Sequence, residues 1–305
     1  MITGASGFLA GYIVPRFAER GWRVFGVDGN PPPSATRDLF AGFNQMRLPD
    51  GALDGAVEEA RPDLVIHGAG RASVPLSMSD PATDFQSGPV AAFALLDALR
   101  RHAPECRFIH LSSAAVYGNP GSLPVAEDAE RRPLSPYGFH KRVNEDLCRE
   151  FAQVYGMRTI SARLFSAYGE GLRRQVMWDV CRKAHSGEKV RLQGTGEETR
   201  DFLHAKDIAA GLEAIAENAE NAEMDGGACN LASGEETRIA DLADILMKGM
   251  GRQDAPEFDG RVPEGNPLQW QADISRVRTL GFAPGVQVAS GAEAYARWAK
   301  KEWDA

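Results

Sequence analysis

Tyr137 and Lys141 stand four residues apart in the run Ser135-Pro136-Tyr137-Gly138-Phe139-His140-Lys141. On a helix that spacing puts both side chains on one face, about one turn apart. An ammonium held close to a phenol favours the phenolate, so Lys141 is expected to lower the Tyr137 pKa. A tyrosine tuned in this way can serve as a general base near neutral pH. The pattern alone arises often by chance. Two further motifs in a fixed order argue against chance: Thr3-Gly4-Ala5-Ser6-Gly7-Phe8-Leu9-Ala10 opens the chain, and Leu111-Ser112-Ser113-Ala114-Ala115-Val116-Tyr117-Gly118 lies between the two.

The opening motif has a chemistry of its own. Gly4, Gly7 and Ala10 follow a short strand and precede a helical pattern. Small residues there let backbone amides approach a pyrophosphate, which the positive helix N-terminus favours. Asp28 ends the next apolar run. A carboxylate at that point can accept hydrogen bonds from a ribose diol and repels a 2'-phosphate, which favours NAD over NADP. The plain alternative is a turn kept tight for packing, with Asp28 as a turn residue.

These motifs need elements to hold them. Met1-Ile2 is a short strand ahead of the turn, so the natural start is expected a few residues upstream. A helix is predicted over Leu9 to Arg20 with Gly21 as its stop signal. Strands are predicted at Trp22 to Val27, Leu64 to His67, Phe108 to Leu111 and Thr159 to Leu164. Helices are predicted at Leu53 to Ala60, Val90 to Arg101 and Tyr137 to Tyr155. Pro31-Pro32-Pro33-Ser34 must be loop. Apolar strands alternating with helices imply an α/β fold with a doubly wound parallel sheet covered on both faces. After Phe165 the alternation becomes irregular, and a late helix pair (Ile239 to Met247, Ser290 to Lys300) suggests a smaller lobe. The expected division is 1–165, rejoined by about 201–233, for the nucleotide-binding domain, with 166–200 and 234–305 for the second lobe.

Composition narrows the class. The chain has 305 residues, 43% of them hydrophobic, enough for a full core and a second lobe. It has no apolar run of the ~18 residues that would suggest a membrane span. A net charge of -8 argues against a nucleic-acid binder. Cys106, Cys148, Cys181 and Cys229 are scattered, with no CxxC. That pattern reads as reduced, buried thiols in a cytoplasmic protein, not as disulfides or a zinc site. His110, His140 and His204 lack a second ligand at metal spacing and are expected to be satisfied structural histidines.

With these residues in hand, the chain resembles the extended short-chain dehydrogenase/reductase family, and within it the nucleotide-sugar epimerase/dehydratase group. The similarity covers nearly the whole chain. TGASGFLA resembles that family's TGxxGxxG, with Ala10 in place of the third glycine. Val65-Ile66-His67-Gly68-Ala69-Gly70 resembles the strand under the nicotinamide half. Arg163-Leu164-Phe165-Ser166-Ala167-Tyr168-Gly169 resembles RxFNxYG, and Gly196-Glu197-Glu198-Thr199-Arg200-Asp201-Phe202 resembles the segment with the diphosphate-binding arginine. The resemblance implies a Rossmann-type fold, bound NAD and a nucleoside-diphosphate sugar. It implies Ser113, Tyr137 and Lys141 as catalytic residues, with Ser113 sharing the substrate oxygen. Cofactor contacts are implied for Gly4, Ser6, Gly7, Phe8, Leu9, Asp28, Leu48, Gly68, Ala69, Gly70, Leu111, Ser112, Tyr137, Lys141 and Phe165. Substrate contacts are implied for Ser113, Ser166, Arg200 and Arg261. A homodimer through the helices Val90 to Arg101 and Tyr137 to Tyr155 is also implied.

Three positions depart from the family pattern. Ser166 replaces the asparagine of RxFNxYG, Gly88 stands where the family has an asparagine, and Arg47 stands where an acidic residue reads adenine, with Asp50 nearby. A 4,6-dehydratase needs an acid beside the catalytic serine, and Ala114 and Ala115 cannot transfer a proton. C4 epimerase, 4-keto-6-deoxy-sugar reductase using NAD(P)H, and sugar-acid decarboxylase remain. Asp28 tilts the choice to an NAD-dependent epimerase, which recycles its cofactor. A non-catalytic NAD-binding sensor would not be expected to keep the Tyr/Lys pair.

Overall fold

The computed structural model describes residues 1–218, 220, 222–261 and 267–304. The N-terminal half runs β1 (Ile2–Thr3), α1 (Ala10–Glu19), β2 (Val24–Asp28), β3 (Phe40–Gln45), α2 (Leu53–Ala60), β4 (Leu64–His67), α3 (Val74–Ser79), α4 (Pro81–Phe85), α5 (Ala91–His102) and β5 (Arg107–Ser113). A single π-turn, Gln86–Val90, joins α4 to α5. The chain continues through α6 (Pro136–Tyr155), β6 (Arg158–Leu164), β7 (Ser166–Tyr168), α7 (Gln175–His185), β8 (Arg191–Leu192), β9 (Thr199–Arg200), β10 (Phe202–His204), α8 (Ala205–Glu217) and β11 (Asp225–Leu231). It closes with β12 (Thr237–Arg238), α9 (Ile239–Gly249), β13 (Glu257–Phe258), α10 (Ser275–Thr279) and α11 (Val288–Asp304).

Seven strands form one sheet in the order β11-β6-β5-β4-β1-β2-β3. Every pairing in it is parallel. The order reverses at β1, and in such a sheet ligands bind at the carboxyl ends of the strands beside the reversal. Ile66, Ile109, Ile160 and Leu212 belong to the core on the α1 and α8 side, and Val65, Phe108, Leu96 and Phe151 to the core on the α2, α5 and α6 side. A third core unites α7, α9 and α11 through Val180, Leu242, Leu246, Tyr295 and Ala299. The sheet thus recruits β11 from beyond α8, and Trp270, Ile274 and Phe282 also pack on its first core.

Periodic segments lie close to their predicted places; α2 coincides, α6 differs by one residue at its start, and α1 and α5 differ by one residue at each end. Several elements fall in stretches read as irregular or left unassigned, among them β3, α3, α4, α7 and α8. β11 was likewise not anticipated, because Asp225-Gly226-Gly227 is a poor strand former. It is held as a strand by pairing with β6. All four cysteines are free and buried. Among the described residues no helix is long and apolar enough to cross a membrane, and no cluster of metal-ligating side chains occurs.

Candidate active site

The glycine turn is shaped for close approach. Gly4 has φ +71, and a Cβ there would lie 2.7 Å from the carbonyl carbon and oxygen of Gly68 and 2.9 Å from the Ala69 nitrogen. Only glycine fits that conformation and that distance. A Cβ on Gly68 would in turn lie 3.1 Å from Leu111 Cδ1. The ends of β1, β4 and β5 are therefore in contact through these three residues. α1 has no side-chain cap and no acidic residue in its first turn. The amides of Phe8 and Leu9 meet no protein acceptor among the described residues. Free amides at a helix N-terminus suit a pyrophosphate. The Asp28 carboxylate accepts from the Ser6 amide at 3.1 Å and the Asn30 amide at 2.8 Å. The Ser6 hydroxyl donates to the carbonyls of Asn30 and Pro31. Turn and acid are thus tied together. This cradle fits a dinucleotide.

α6 begins where the chemistry does. The Ser135 hydroxyl accepts from the Gly138 amide at 3.3 Å, and Pro136 occupies the first turn. Both are preferred helix-start residues. Gly156, at φ 70, ends the helix. The Tyr137 amide donates to Ser77 Oγ at 3.0 Å, which docks α3 on the same helix start. The Ser113 hydroxyl accepts from the Ala115 amide at 3.2 Å at the end of β5. Lys141 Nζ donates to the Leu111 carbonyl at 2.7 Å and lies 5.8 Å from the centre of the Tyr137 ring.

This geometry corrects the expected electrostatics. Burial raises the Tyr137 pKa above its ordinary value, with the Ser113 hydroxyl and the Arg174 charge opposing and Asp84 reinforcing the rise. Lys141 does not figure among these causes. Burial instead lowers the Lys141 pKa to about 8, against Asp84, Glu145 and Cys148. The pair shares a face as predicted, but the ammonium is turned to a backbone carbonyl.

The remaining expected residues divide. Gly68, Ala69 and Gly70 line the end of β4, where the Ala69 amide donates to Thr3 Oγ1 at 3.3 Å. Leu48 is buried beyond β3, and Phe165 is buried between Tyr117 and Trp270. Ser112 turns inward and donates to Glu145 Oε1 at 2.6 Å, so only its backbone is available to a cofactor. The Ser166 amide donates to the Asp201 carbonyl at 2.8 Å, at the start of β7. Arg200 lies over Trp270, its Nη1 donating to the Thr199 and Leu268 carbonyls, with no carboxylate partner among the described residues. Burial lowers its pKa to about 10. A half-buried guanidinium of this kind is suited to phosphate oxygens. Arg261 is exposed, and its backbone joins Gly194 and Asp259. No described contact brings Arg261 to Arg200.

Sequence reasoning missed three groups around this site. Glu145 is buried and binds Ser112, Arg131 and Arg163. Its spacing from Lys141 repeats that of Lys141 from Tyr137, which was the available signal. Asp84 holds the His140 ring at 2.5 Å. Arg174 donates to the Ala72 carbonyl at 3.0 Å, joining the α7 entry to the loop before α3. His110 departs from its expected satisfied state: both ring nitrogens are buried without a partner among the described residues, as is His67 Nε2. His204 does conform, accepting from the Lys206 amide and facing Glu170.

A doubly wound parallel sheet, a phosphate-shaped turn at its reversal point and a Ser/Tyr/Lys cluster beside it define a Rossmann-type nicotinamide enzyme. The model of the NAD dependent epimerase/dehydratase family matches residues 1–232. The chain belongs to that family of NAD-dependent enzymes. It is 28% identical over 309 residues to a putative UDP-glucose 4-epimerase of Methanocaldococcus jannaschii, covering 98% of each chain. It is 26% identical to a probable UDP-glucuronate 4-epimerase of Rhizobium meliloti, covering 98% of this chain and 96% of that one. The crystal structure of UDP-glucuronic acid 4-epimerase from Bacillus cereus, in complex with UDP-glucuronic acid and NAD, matches with TM-score 0.89 at 27% identity, covering 99% of this chain and 98% of that one.

Proposed function

We propose that the protein is an NAD-dependent epimerase acting at C4 of a nucleoside-diphosphate sugar. The observation that carries this reading is the contact chain Gly4–Gly68–Leu111–Lys141, which sets the phosphate cradle beside Ser113 and Tyr137. Tyr137 takes the proton of the C4 hydroxyl, and Ser113 hydrogen-bonds the same oxygen and relays the proton. Bound NAD supplies a hydride acceptor that can return the hydride to the same carbon. Lys141 supplies positive charge at the carboxyl end of β5, and is assigned to the nicotinamide ribose. Arg200 and Arg261 hold the diphosphate, whose binding energy positions the sugar. Ala114, wholly buried, and Ala115 place no proton donor next to Ser113, which disfavours dehydration.

The relatives described above carry the names of UDP-sugar 4-epimerases, and a UDP-hexose or UDP-hexuronate is the first substrate class to try. We assign residues 1–165 with about 201–233 to the cofactor domain and the rest to the sugar lobe. A homodimer is assigned to the outer face of α5 and α6, where Phe93, Val143, Val154 and Tyr155 are exposed apolar side chains. One observation favours a second reading, a 4-keto-sugar reductase drawing on NADPH. Arg47 Nε lies 3.3 Å from the position of a Cβ on Gly29, next to Asp28, where a cation would suit a 2'-phosphate.

The test is to release and identify the nucleotide from the purified protein, then to assay UDP-sugar interconversion in wild type and Tyr137→Phe. Stoichiometric NAD and interconversion that is lost in Tyr137→Phe, with NAD retained, support the epimerase. NADP(H) and one-way reduction of a 4-keto sugar support the second reading. Undiminished turnover in Tyr137→Phe rejects Tyr137 as the base.

A further inference from the structure

The crevice at the reversal point of the sheet is bridged by a segment from outside the sheet. β1 and β4 lie side by side. α1 packs on one face of the sheet, and the chain leaving β4 leads to α5 on the other. The cofactor cradle therefore opens between α1 and the loop after β4. Residues 169–174, which join β7 to α7, are fastened to both walls. At one end the hydroxyl of Tyr12, in the first turn of α1, donates to the Glu170 carbonyl at 2.7 Å and lies 3.1 Å from Glu170 Oε2. At the other end Arg174 Nη1 donates at 3.0 Å to the carbonyl of Ala72, two residues past Gly70. Between them Gly171 passes Phe8, where a Cβ would lie 3.8 Å from Phe8 Cδ2. Phe8 is one of the two residues whose amides are free for the pyrophosphate.

The Glu170 end is held by three elements. His204 Nδ1 accepts from the Lys206 amide at 3.1 Å and so caps α8. That leaves the ring proton to Nε2, which lies 3.2 Å from Glu170 Oε2. One carboxylate oxygen thus meets a phenol from α1 and an imidazole from α8. Gly169, at φ +148, lets both approach: a Cβ there would lie 3.0 Å from the Tyr12 hydroxyl and 3.2 Å from His204 Nε2. Further along, the Tyr295 hydroxyl of α11 donates to the Leu172 carbonyl. Gln175 then begins α7 at φ 67. A residue other than glycine keeps that conformation only where its surroundings over-determine it. We propose that residues 169–174 are a strap across the cofactor crevice, latched by Tyr12, Glu170 and His204 as positioning residues, so that NAD leaves only when the latch opens. The glycine turn offers the pyrophosphate backbone amides but no cover, and the strap supplies the cover. The proposal goes beyond the C4 reading and needs only the NAD that the family binds.

The test is the rate of NAD release from the NAD-loaded protein, followed by an added alcohol dehydrogenase that consumes only free NAD. Removing an interaction made only in the closed state raises the open fraction by the worth of that interaction. For one hydrogen bond the factor is about fivefold. Tyr12→Phe, which keeps the ring and loses the hydroxyl, should therefore release NAD about fivefold faster, and Glu170→Ala should do the same by freeing His204. Glu170→Gln keeps an acceptor oxygen for both partners and should return the rate toward that of wild type, whereas a mere packing role would not distinguish the carboxamide from the methyl. Arg174→Met, at the other end of the strap, should also speed release. If Glu170→Ala does not fold, Tyr12→Phe and Arg174→Met decide the matter. Release unchanged in the folded variants overturns the proposal. So does acceleration confined to Tyr12→Phe, which would place the effect in α1 itself. Release is read without turnover, so its outcome is separate from the Tyr137→Phe rate that tests the C4 reading.

Discussion

Glu145 should be the most sensitive single position behind the candidate site. Its carboxylate is 2% exposed and takes Ser112 Oγ at 2.6 Å, Arg163 Nε at 2.9 Å, Arg163 Nη2 at 2.8 Å and Arg131 Nη1 at 3.2 Å. Arg163 is 3% exposed. Burial pulls its pKa down, yet Glu145 and Tyr117 hold it above the ordinary arginine value. Glu145→Ala leaves that guanidinium buried without its carboxylate, which costs about 3–5 kcal/mol. Because Glu145 ties α6 to β6 through Arg163 and to β5 through Ser112, the same change loosens the Tyr137–Lys141 helix. The assay is urea unfolding, where the midpoint should fall at constant m, alongside the rate of UDP-sugar interconversion. The double variant Glu145→Leu/Arg163→Met removes both charges and should recover much of the stability, since apolar replacement of a buried pair is often neutral or better. A loss below about 1 kcal/mol in Glu145→Ala would refute the reasoning, because it would mean that water reaches Arg163 and screens it.

Other outcomes can be checked with the same preparation. Gly4→Ala places a methyl 2.7 Å from Gly68 at φ +71; it should cost about 2–4 kcal/mol from overpacking and left-handed strain, and NAD retention should drop with it. His67 has its pKa lowered to about 3 from 6.5 by burial first and the Lys141 charge second. The unfolded chain then binds more protons at this group between pH 6.5 and 3, so its contribution is present above 6.5 and lost as pH falls. His67→Gln should flatten the acid side of the stability profile measured by urea midpoint. Arg200→Met should raise KM for the nucleotide sugar about tenfold or more with a smaller change in kcat, as expected where binding of a remote group is removed; an equal fall in kcat alone would place Arg200 elsewhere in the mechanism.

The sequence by itself determined what depends on short spacing. Glycines at fixed offsets after a strand, an acid at the next strand's end, and Tyr and Lys one helical turn apart are local patterns with local causes. So are the periodicities that located β4, β5, β6, α2, α5 and α6. Tertiary structure decided what depends on partners far along the chain. β11, with two glycines, is a strand only because β6 offers it a parallel edge, and β3 because β2 does. The direction of the Tyr137 pKa followed from burial against neighbouring elements, which no spacing encodes. Glu145 with Arg163, and His140 with Asp84, are pairs made by helices and strands brought together by the doubly wound topology. Their residues read individually as ordinary surface charges. Burial and counter-charge, the two quantities that decide what a titratable group can do, exist only once the chain has closed around it.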